Sequence, residues 1–403
     1  MKYSKEDALE FVREEDVKFI RLAFCDVFGR LKNIAIMPSE LPRAFEYGIS
    51  FDASSIAGFG DEARSDLLLH PEPETLVQLP WRPEHGGVVR MFCDVSYPDG
   101  RAYENDARFL LKKAIEEARR MGRQFFFGSE LEFYLFELDE RDAPTKIPYD
   151  SAGYMDVYPE DKGENIRREI CLTLEQMGVR PECSHHEQGP GQNEIDFRFS
   201  DALTAADDAV SFKSVVRTVA RRNGLYADFS AKPLEDAPGN GFHVNMSLDP
   251  AATESEFNQM IAGALARVTE ATLFFNPTEN SYKRLGRNKA PRYVSWSREN
   301  RSQTIRIPAA YGEFRRAELR SPDPSANPYL AFALLIYAGL EGLDRKLALP
   351  EPADFNLYKA DADALSDYRK LPEDLSYAKK VAQASEFIQR RVPGAILDLY
   401  CNR

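Results

Sequence analysis

Carboxylates, an imidazole and guanidiniums recur at every second position inside runs that are otherwise apolar. In Gly128-Ser-Glu-Leu-Glu-Phe-Tyr-Leu-Phe136, Glu130 and Glu132 alternate with Leu131, Phe133 and Leu135. In the run from Gln192 to Phe199, Glu194 stands opposite Ile195, Phe197 and Phe199. Between Phe242 and Leu248, His243, Asn245 and Ser247 alternate with Val244 and Met246. Arg316, Glu318 and Arg320 share one parity, and Arg306 sits between Ile305 and Ile307. Successive side chains on a strand point to opposite faces. Each run therefore predicts a strand with one apolar face and one face bearing acid, imidazole or arginine.

A half-exposed antiparallel sheet with a solvated polar face produces the same alternation. That reading weakens across five strands, because a solvated face uses Lys and Thr freely, whereas these use Glu, His and Arg almost alone. Carboxylates at close quarters repel unless cations neutralise them, and oxygen-rich clusters with one imidazole suit Mg²⁺ or Mn²⁺. Arginines alongside suit an anionic, phosphate-bearing substrate. The residues alone point to divalent-metal phosphoryl transfer on a curved antiparallel sheet. The common nucleotide and zinc signatures, G-x-x-x-x-G-K-[ST], G-x-G-x-x-G after a strand and H-E-x-x-H, are absent.

The elements that must position these strands are legible from local signals. Ser4-x-x-Asp7 predicts a capped helix running to about Glu15. Strand-like runs follow at Lys18–Asp26 and Leu31–Met37 across a turn at Val27-Phe28-Gly29-Arg30, then at Leu76–Leu79 and Gly87–Val95. Tyr97-Pro98-Asp99-Gly100 is a strong turn, and Asp106 caps a helix that ends at Gly122. The spacing predicts further helices at Glu164–Met177, Thr204–Arg222, Glu254–Thr272, Pro328–Lys346 and Ser376–Arg391. The turn before Asp106 divides the chain into residues 1–100 and 101–403. No repeat of 20 to 50 residues is visible.

Seven segments, in order and together spanning nearly the whole chain, resemble bacterial type I glutamine synthetase. They are Phe51-Asp-Ala-Ser-Ser-Ile56, Gly128-Ser-Glu-Leu-Glu-Phe133, His185-His-Glu187 with Gly191-Gln-Asn-Glu194, and Gly241-Phe-His-Val-Asn-Met-Ser-Leu248. Asn280-Ser-Tyr-Lys-Arg-Leu285, Asn300-Arg-Ser302 with Arg306-Ile-Pro308, and Glu318-x-Arg320 with Asn327-Pro-Tyr-Leu330 complete the set. The resemblance implies an α+β fold: a small N-terminal β-grasp domain and a large catalytic domain with a curved antiparallel sheet flanked by helices. It implies a homo-oligomeric ring, single or double, with active sites between subunits.

It further implies a ligase that uses ATP to convert the γ-carboxylate of glutamate to an acyl phosphate, which ammonia or a small amine then attacks. Two or more Mg²⁺ or Mn²⁺ ions per site are expected, one held by Glu132, Glu187 and Glu194 and another by Glu130, His243 and Glu318. Arg284 and Arg320, with Gly239, are expected at the amino-acid substrate. Arg301, Arg306 and Arg316 are expected at the ATP phosphates, with Ser247 near the nucleotide. Asp52, Ser55 and Tyr154 match the part that receives ammonium, Asp52 coming from the adjacent subunit. Asp52, Arg301 and Arg320 are the expected catalytic residues.

Four departures qualify the resemblance. The family's flap carries a Glu between Gly-Tyr and Ala-Pro, whereas Gly286-Arg-Asn-Lys-Ala-Pro291 is one residue shorter and has Lys289 there. Pro238-Gly-Asn-Gly241 replaces Asn-Gly-Ser-Gly before the histidine. A stretch is missing between Leu248 and Glu254, and the C-terminal extension that clasps two rings reads as truncated after Arg391. These departures leave open a ligase specific for an amine other than ammonia, and a catalytically silent structural or regulatory member.

Composition narrows the classes. The chain has 403 residues, 43% of them apolar, and a formal charge of -13. That is ample for packed cores and disfavours nucleic-acid binding, which rests on clustered cations. Five scattered Cys without a C-x-x-C pair fit a reducing compartment. The N-terminal segment alternates charge and lacks the apolar core of a signal peptide. The longest apolar stretch, Tyr329 to Leu340, is too short to span a bilayer of roughly 20 residues. The expectation is a cytoplasmic protein without a membrane or nucleic-acid partner.

Overall fold

The computed structural model describes residues 3–60, 62–81, 86–310 and 312–402. The chain opens with α1 (Lys5–Glu14), whose N-cap Ser4 accepts from the Asp7 amide while the Asp7 side chain accepts from the Ser4 amide. Strands β1 (Val17–Cys25) and β2 (Leu31–Ile36) pair antiparallel. Their turn is closed by Asp26 Oδ1, which accepts from the amides of Phe28 and Arg30 at 3.0 and 2.9 Å. Gly29 supplies the positive φ of 76° that the turn requires. After α2 (Leu41–Tyr47) come β3 (Ile49–Asp52), β4 (Asp66–Pro71), β5 (Val77–Gln78) and β6 (Gly87–Ser96). The strands form one sheet in the order β2-β1-β6-β4-β3, with β5 on β6. β1 and β6 run parallel, and β6 is buried along almost its whole length.

Helix α3 (Ala107–Arg120), capped by Asp106, joins this unit to the C-terminal part. Its Arg108 is buried and makes a two-pronged pair with Asp207 at 3.0 and 2.9 Å while also reaching Glu72 at 2.6 Å. Tyr329 Oη donates to the same Asp207 at 2.7 Å. A buried charge of this kind is tolerable only when fully paired, so the two parts are held in one relation by charge as well as by apolar contact.

The C-terminal sheet is built from β7 (Phe125–Leu138), β8 (Pro144–Pro148), β9 (Pro181–His186), β10 (Gln192–Asp201), β11 (Leu225–Asp228), β12 (Phe242–Leu248), β13 (Trp296–Arg298), β14 (Ile305–Ile307) and β15 (Ala317–Leu319). The order is β13-β14-β15-β12-β7-β10-β9, with β8 and β11 on the far end of β7. Every pairing is antiparallel except β13 with β14. The helices are α4 (Glu164–Gln176), α5 (Ala202–Arg222), α6 (Glu254–Phe275), α7 (Glu279–Arg284), α8 (Pro328–Asp344), α9 (Ala362–Leu365), α10 (Leu375–Ala384), α11 (Glu386–Arg391) and α12 (Gly394–Asn402). The apolar stretch from Tyr329 to Leu340 is the buried core of α8, and Phe332 stacks on Phe127 of β7 at 4.4 Å. Helices α6 and α8 cross closely because both surfaces lack side chains there. A Cβ on Gly263 would lie 2.0 Å from the Ala338 carbonyl oxygen. No helix among the described residues is long and apolar enough to cross a membrane.

One helix expectation is corrected. The run Ser376–Arg391 is two helices, because Ser385 adopts an extended backbone and ends α10. Its hydroxyl then accepts from the Ile388 amide and caps α11. Serine competes in this way for backbone groups that a continuing helix would use.

Candidate active site

Strand register gathers the acidic residues. Glu194 lies opposite Glu132, Asp196 opposite Glu130, and Glu130 in turn opposite His243. Asn245 faces Glu318, which faces Arg306 on the next strand. Neighbouring strands are roughly 5 Å apart, so the register alone brings five strands' polar side chains into one cluster. Of these, Glu130, Glu132, Glu194, Asp196 and His243 line a cavity of about 260 Å³ together with Tyr154, Glu187, Gly239, Arg284, Lys289, Arg301, Arg306, Arg316 and Arg320. A wider cleft of about 920 Å³ beside α3 contains none of these residues.

His243 Nδ1 is 3.2 Å from Glu130 Oε2 and 3.6 Å from Glu318 Oε1. The other Glu130 oxygen accepts from Asn245 Nδ2 at 2.8 Å. Glu132 Oε2 accepts from the Gly241 amide at 2.8 Å and from Gln192 Nε2 at 3.1 Å. Glu187 follows β9 and receives the Gln188 amide at 2.9 Å. Glu318 is fully buried beneath the cavity wall, held by the guanidiniums of Arg306 and Arg320. One ligand atom each from Glu130, Glu194 and His243 lie within 4.8 Å of one another, and so do those of His185, Glu187 and Glu194.

Electrostatics shows what this crowding costs. Burial, reinforced by Asp196 and Glu132, raises the Glu194 carboxyl well above the usual carboxylate range. Burial, with Glu130 beside it, does the same to Asp196, whose Oδ1 is buried without a hydrogen-bond partner. Burial, with Arg320 adding, pushes the His243 imidazole down to about 3, so it is neutral and offers a lone pair. Crowded carboxylates beside a neutral imidazole form a donor set that fits hard divalent cations.

The cationic wall is equally ordered. Arg284 is buried and donates to the carbonyls of Ser321 and Arg320 at 2.8 and 3.1 Å, which fixes its direction. Arg316 Nε donates to Asn245 Oδ1 at 3.0 Å, and Arg301 stands exposed at the rim. Gly239 is packed so closely that a Cβ there would meet the Ala231 carbonyl oxygen at 2.4 Å. In the departing Pro238–Gly241 segment, buried Asn240 donates to the carbonyls of Asp228 and Ser230 and accepts from Gln192. The loop therefore keeps a defined shape.

Besides the buried Glu318, three expected residues do not line this cavity within one chain. Asp52 and Ser55 lie exposed at the end of β3, where Asp52 Oδ1 accepts from the Ser54 amide and hydroxyl. Ser247 lines an adjoining cavity of about 150 Å³ with Asn245, Phe314 and Arg316. Conversely, the structure adds His185 and Asp196. His185 Nε2 is 3.2 Å from Glu194, and its ring packs edge-on to Tyr154. Asp196 is two residues from Glu194, so strand parity alone places it on the acidic face. His185 needed the register between β9 and β10, which pairs it with Glu194. Behind them, His186 bridges Asp150 at 2.8 Å and the Glu187 carbonyl at 2.6 Å, bracing the segment that carries Glu187.

Known proteins share this architecture. The glutamine synthetase catalytic domain matches residues 104–403, and the glutamine synthetase β-grasp domain matches residues 16–98. A glutamine synthetase of Methanosarcina mazei is 44% identical over 412 residues, covering 98% of this chain and 92% of that protein. One from Clostridium saccharobutylicum is 46% identical over 370 residues, covering 89% and 84%. The solved structure of a GmaS/ADP complex superposes with a TM-score of 0.88 at 27% identity, covering 98% and 94%. Matches that span both parts of the chain, on a scaffold whose register assembles the acidic cavity, place this protein in the glutamine synthetase family of ligases.

Proposed function

We propose that this protein is an ATP-dependent ligase that joins the γ-carboxylate of glutamate to ammonia or a small amine through a γ-glutamyl phosphate. The observation that carries the reading is the single cavity in which Glu130, Glu132, Glu187, Glu194 and His243 face Arg284, Arg301, Arg306, Arg316 and Arg320. A carboxylate is a poor acyl donor, so its oxygen must first attack the terminal phosphorus of ATP and expel ADP. The amine then forms the new C–N bond while phosphate leaves with the electrons of the C–O bond.

Arg284 and Arg320 hold the amino acid's carboxylates against the Gly239 segment. Arg301, Arg306 and Arg316 face the phosphates, with Ser247 toward the nucleotide, and spread the charge of the transferring group. Glu132, Glu187 and Glu194 on one side and Glu130, His243 and Glu318 on the other would hold divalent cations, Mg²⁺ or Mn²⁺, which supply further countercharge at the phosphoryl oxygens. Tyr154, with Asp52 and Ser55 of an adjacent copy, borders the amine's entry, where a carboxylate accepts its proton. Purified protein given glutamate, ATP, Mg²⁺ and an amine should release phosphate only when all four are present. Silence with every amine and with either metal would overturn the reading.

A further inference from the structure

The segment that borders the cavity at Asn288–Ala290 is a tight, internally bonded turn. The Ala290 amide donates to the Arg287 carbonyl at 2.9 Å, and the Gly286 amide to the Ala290 carbonyl at 3.2 Å. Ala290 is buried, and its carbonyl also accepts from Tyr358 Oη at 2.8 Å. Between these anchors, Asn288 and Lys289 take φ values of 45° and 67°, a left-handed conformation that side-chain-bearing residues rarely adopt. Such backbone persists where its surroundings fix it, and here it places the exposed Lys289 at the cavity's edge. The Lys289 ammonium lies 5.1 Å from the centre of the Tyr154 ring and lines the cavity beside Glu187.

We propose that Lys289 selects an acceptor amine that itself carries an acidic group, a zwitterion of amino-acid type. The proposal rests on the ligase reading and specifies its second substrate. Simple amines are cations at neutral pH, because an alkyl ammonium titrates near a lysine. A bare ammonium entering past Tyr154 meets Lys289 on the ring face that would otherwise stabilise it. A zwitterion brings a carboxylate that pairs with Lys289 while its ammonium turns toward Glu187. That ammonium gives one proton to the carboxylate at the amine's entry and releases a second to water after attack. The nitrogen lone pair becomes the C–N bond, and phosphate departs.

The test compares β-alanine with propylamine, which match in length and differ in the terminal carboxylate, and uses hydroxylamine as an uncharged control acceptor. Wild type should form the hydroxamate and should use β-alanine with at least tenfold higher kcat/KM than propylamine. Lys289→Met should bring that ratio near one, and Lys289→Glu should invert it. Hydroxamate formation with no preference for β-alanine would overturn the assignment and leave the ligase reading intact. A preference that survives in both variants would likewise overturn it. Absence of hydroxamate and of phosphate release with every acceptor would overturn the ligase reading, and this proposal with it.

Discussion

Asp196 is the residue at which the cavity's charge balance is most exposed to test. Its carboxylate faces Glu130 across the strand pair, one oxygen takes the Cys183 thiol at 2.8 Å, and the other has no partner. Removing its charge relieves repulsion in the empty cluster and weakens the field that attracts a cation. Asp196→Asn should therefore raise the melting temperature in chelator while loosening Mn²⁺ by roughly tenfold or more, the scale of outer-shell changes. Calorimetric titration and a melting curve in EDTA read both effects, and unchanged Mn²⁺ affinity would refute the role. Period-two alternation was enough to find Glu130, Glu132, Glu194, His243 and Glu318, because each sits in a strand with an apolar opposite face. The same parity carries Asp196, whose neighbours Ile195 and Phe197 form the apolar face of β10. His185 was not readable from its own strand, since β9 is polar throughout and its function comes from its partner across the register.

At the scale of elements, local signals succeed where one side chain decides the backbone. Asp106 caps α3 as its spacing implied, yet it is wholly buried beside Arg108, which only the packing of α3 on α5 and β6 could reveal. Burial pushes its carboxyl up to about 7 from the ordinary 3.8. An acid whose folded value is raised binds its proton more tightly when folded. Its contribution is complete below 3.8 and is lost as pH rises through about 7. Asp106→Asn keeps a capping oxygen without the charge. It should thus gain stability over wild type between pH 4 and pH 8, by at most about 4 kcal/mol at 1.36 kcal/mol per pH unit. Melting temperatures at the two pH values check this, and an identical difference at both would contradict it. Ser385 shows the opposite case. Helical periodicity runs through it, and its extended backbone, with the hydroxyl accepting from the Ile388 amide, splits the helix.

At the scale of the whole molecule, aromatic and apolar side chains stand exposed beside the cavity. Tyr154, Val157 and Tyr158 are 42%, 70% and 68% exposed on the segment beside it, a cluster that a monomer rarely leaves to water. Asp52 and Ser55 lie exposed and outside their own chain's cavity, and the proposed function has a neighbouring copy bring them to it. If sites are shared in a ring, Asp52→Asn and His243→Ala chains, each inactive alone, should regain activity when refolded together. Random mixing restores roughly a quarter of the sites, since each needs one intact residue from both neighbours. No recovery would place Asp52 outside the reaction. Assembly was legible only through the resemblance, because alternation and capping report on one chain. The central claim, activation of a carboxylate by phosphoryl transfer, has the most direct test in glutamate labelled with ¹⁸O in both γ-carboxylate oxygens. Turnover should deliver one labelled oxygen into each released phosphate and leave the other in the amide. Phosphate free of label would contradict the account.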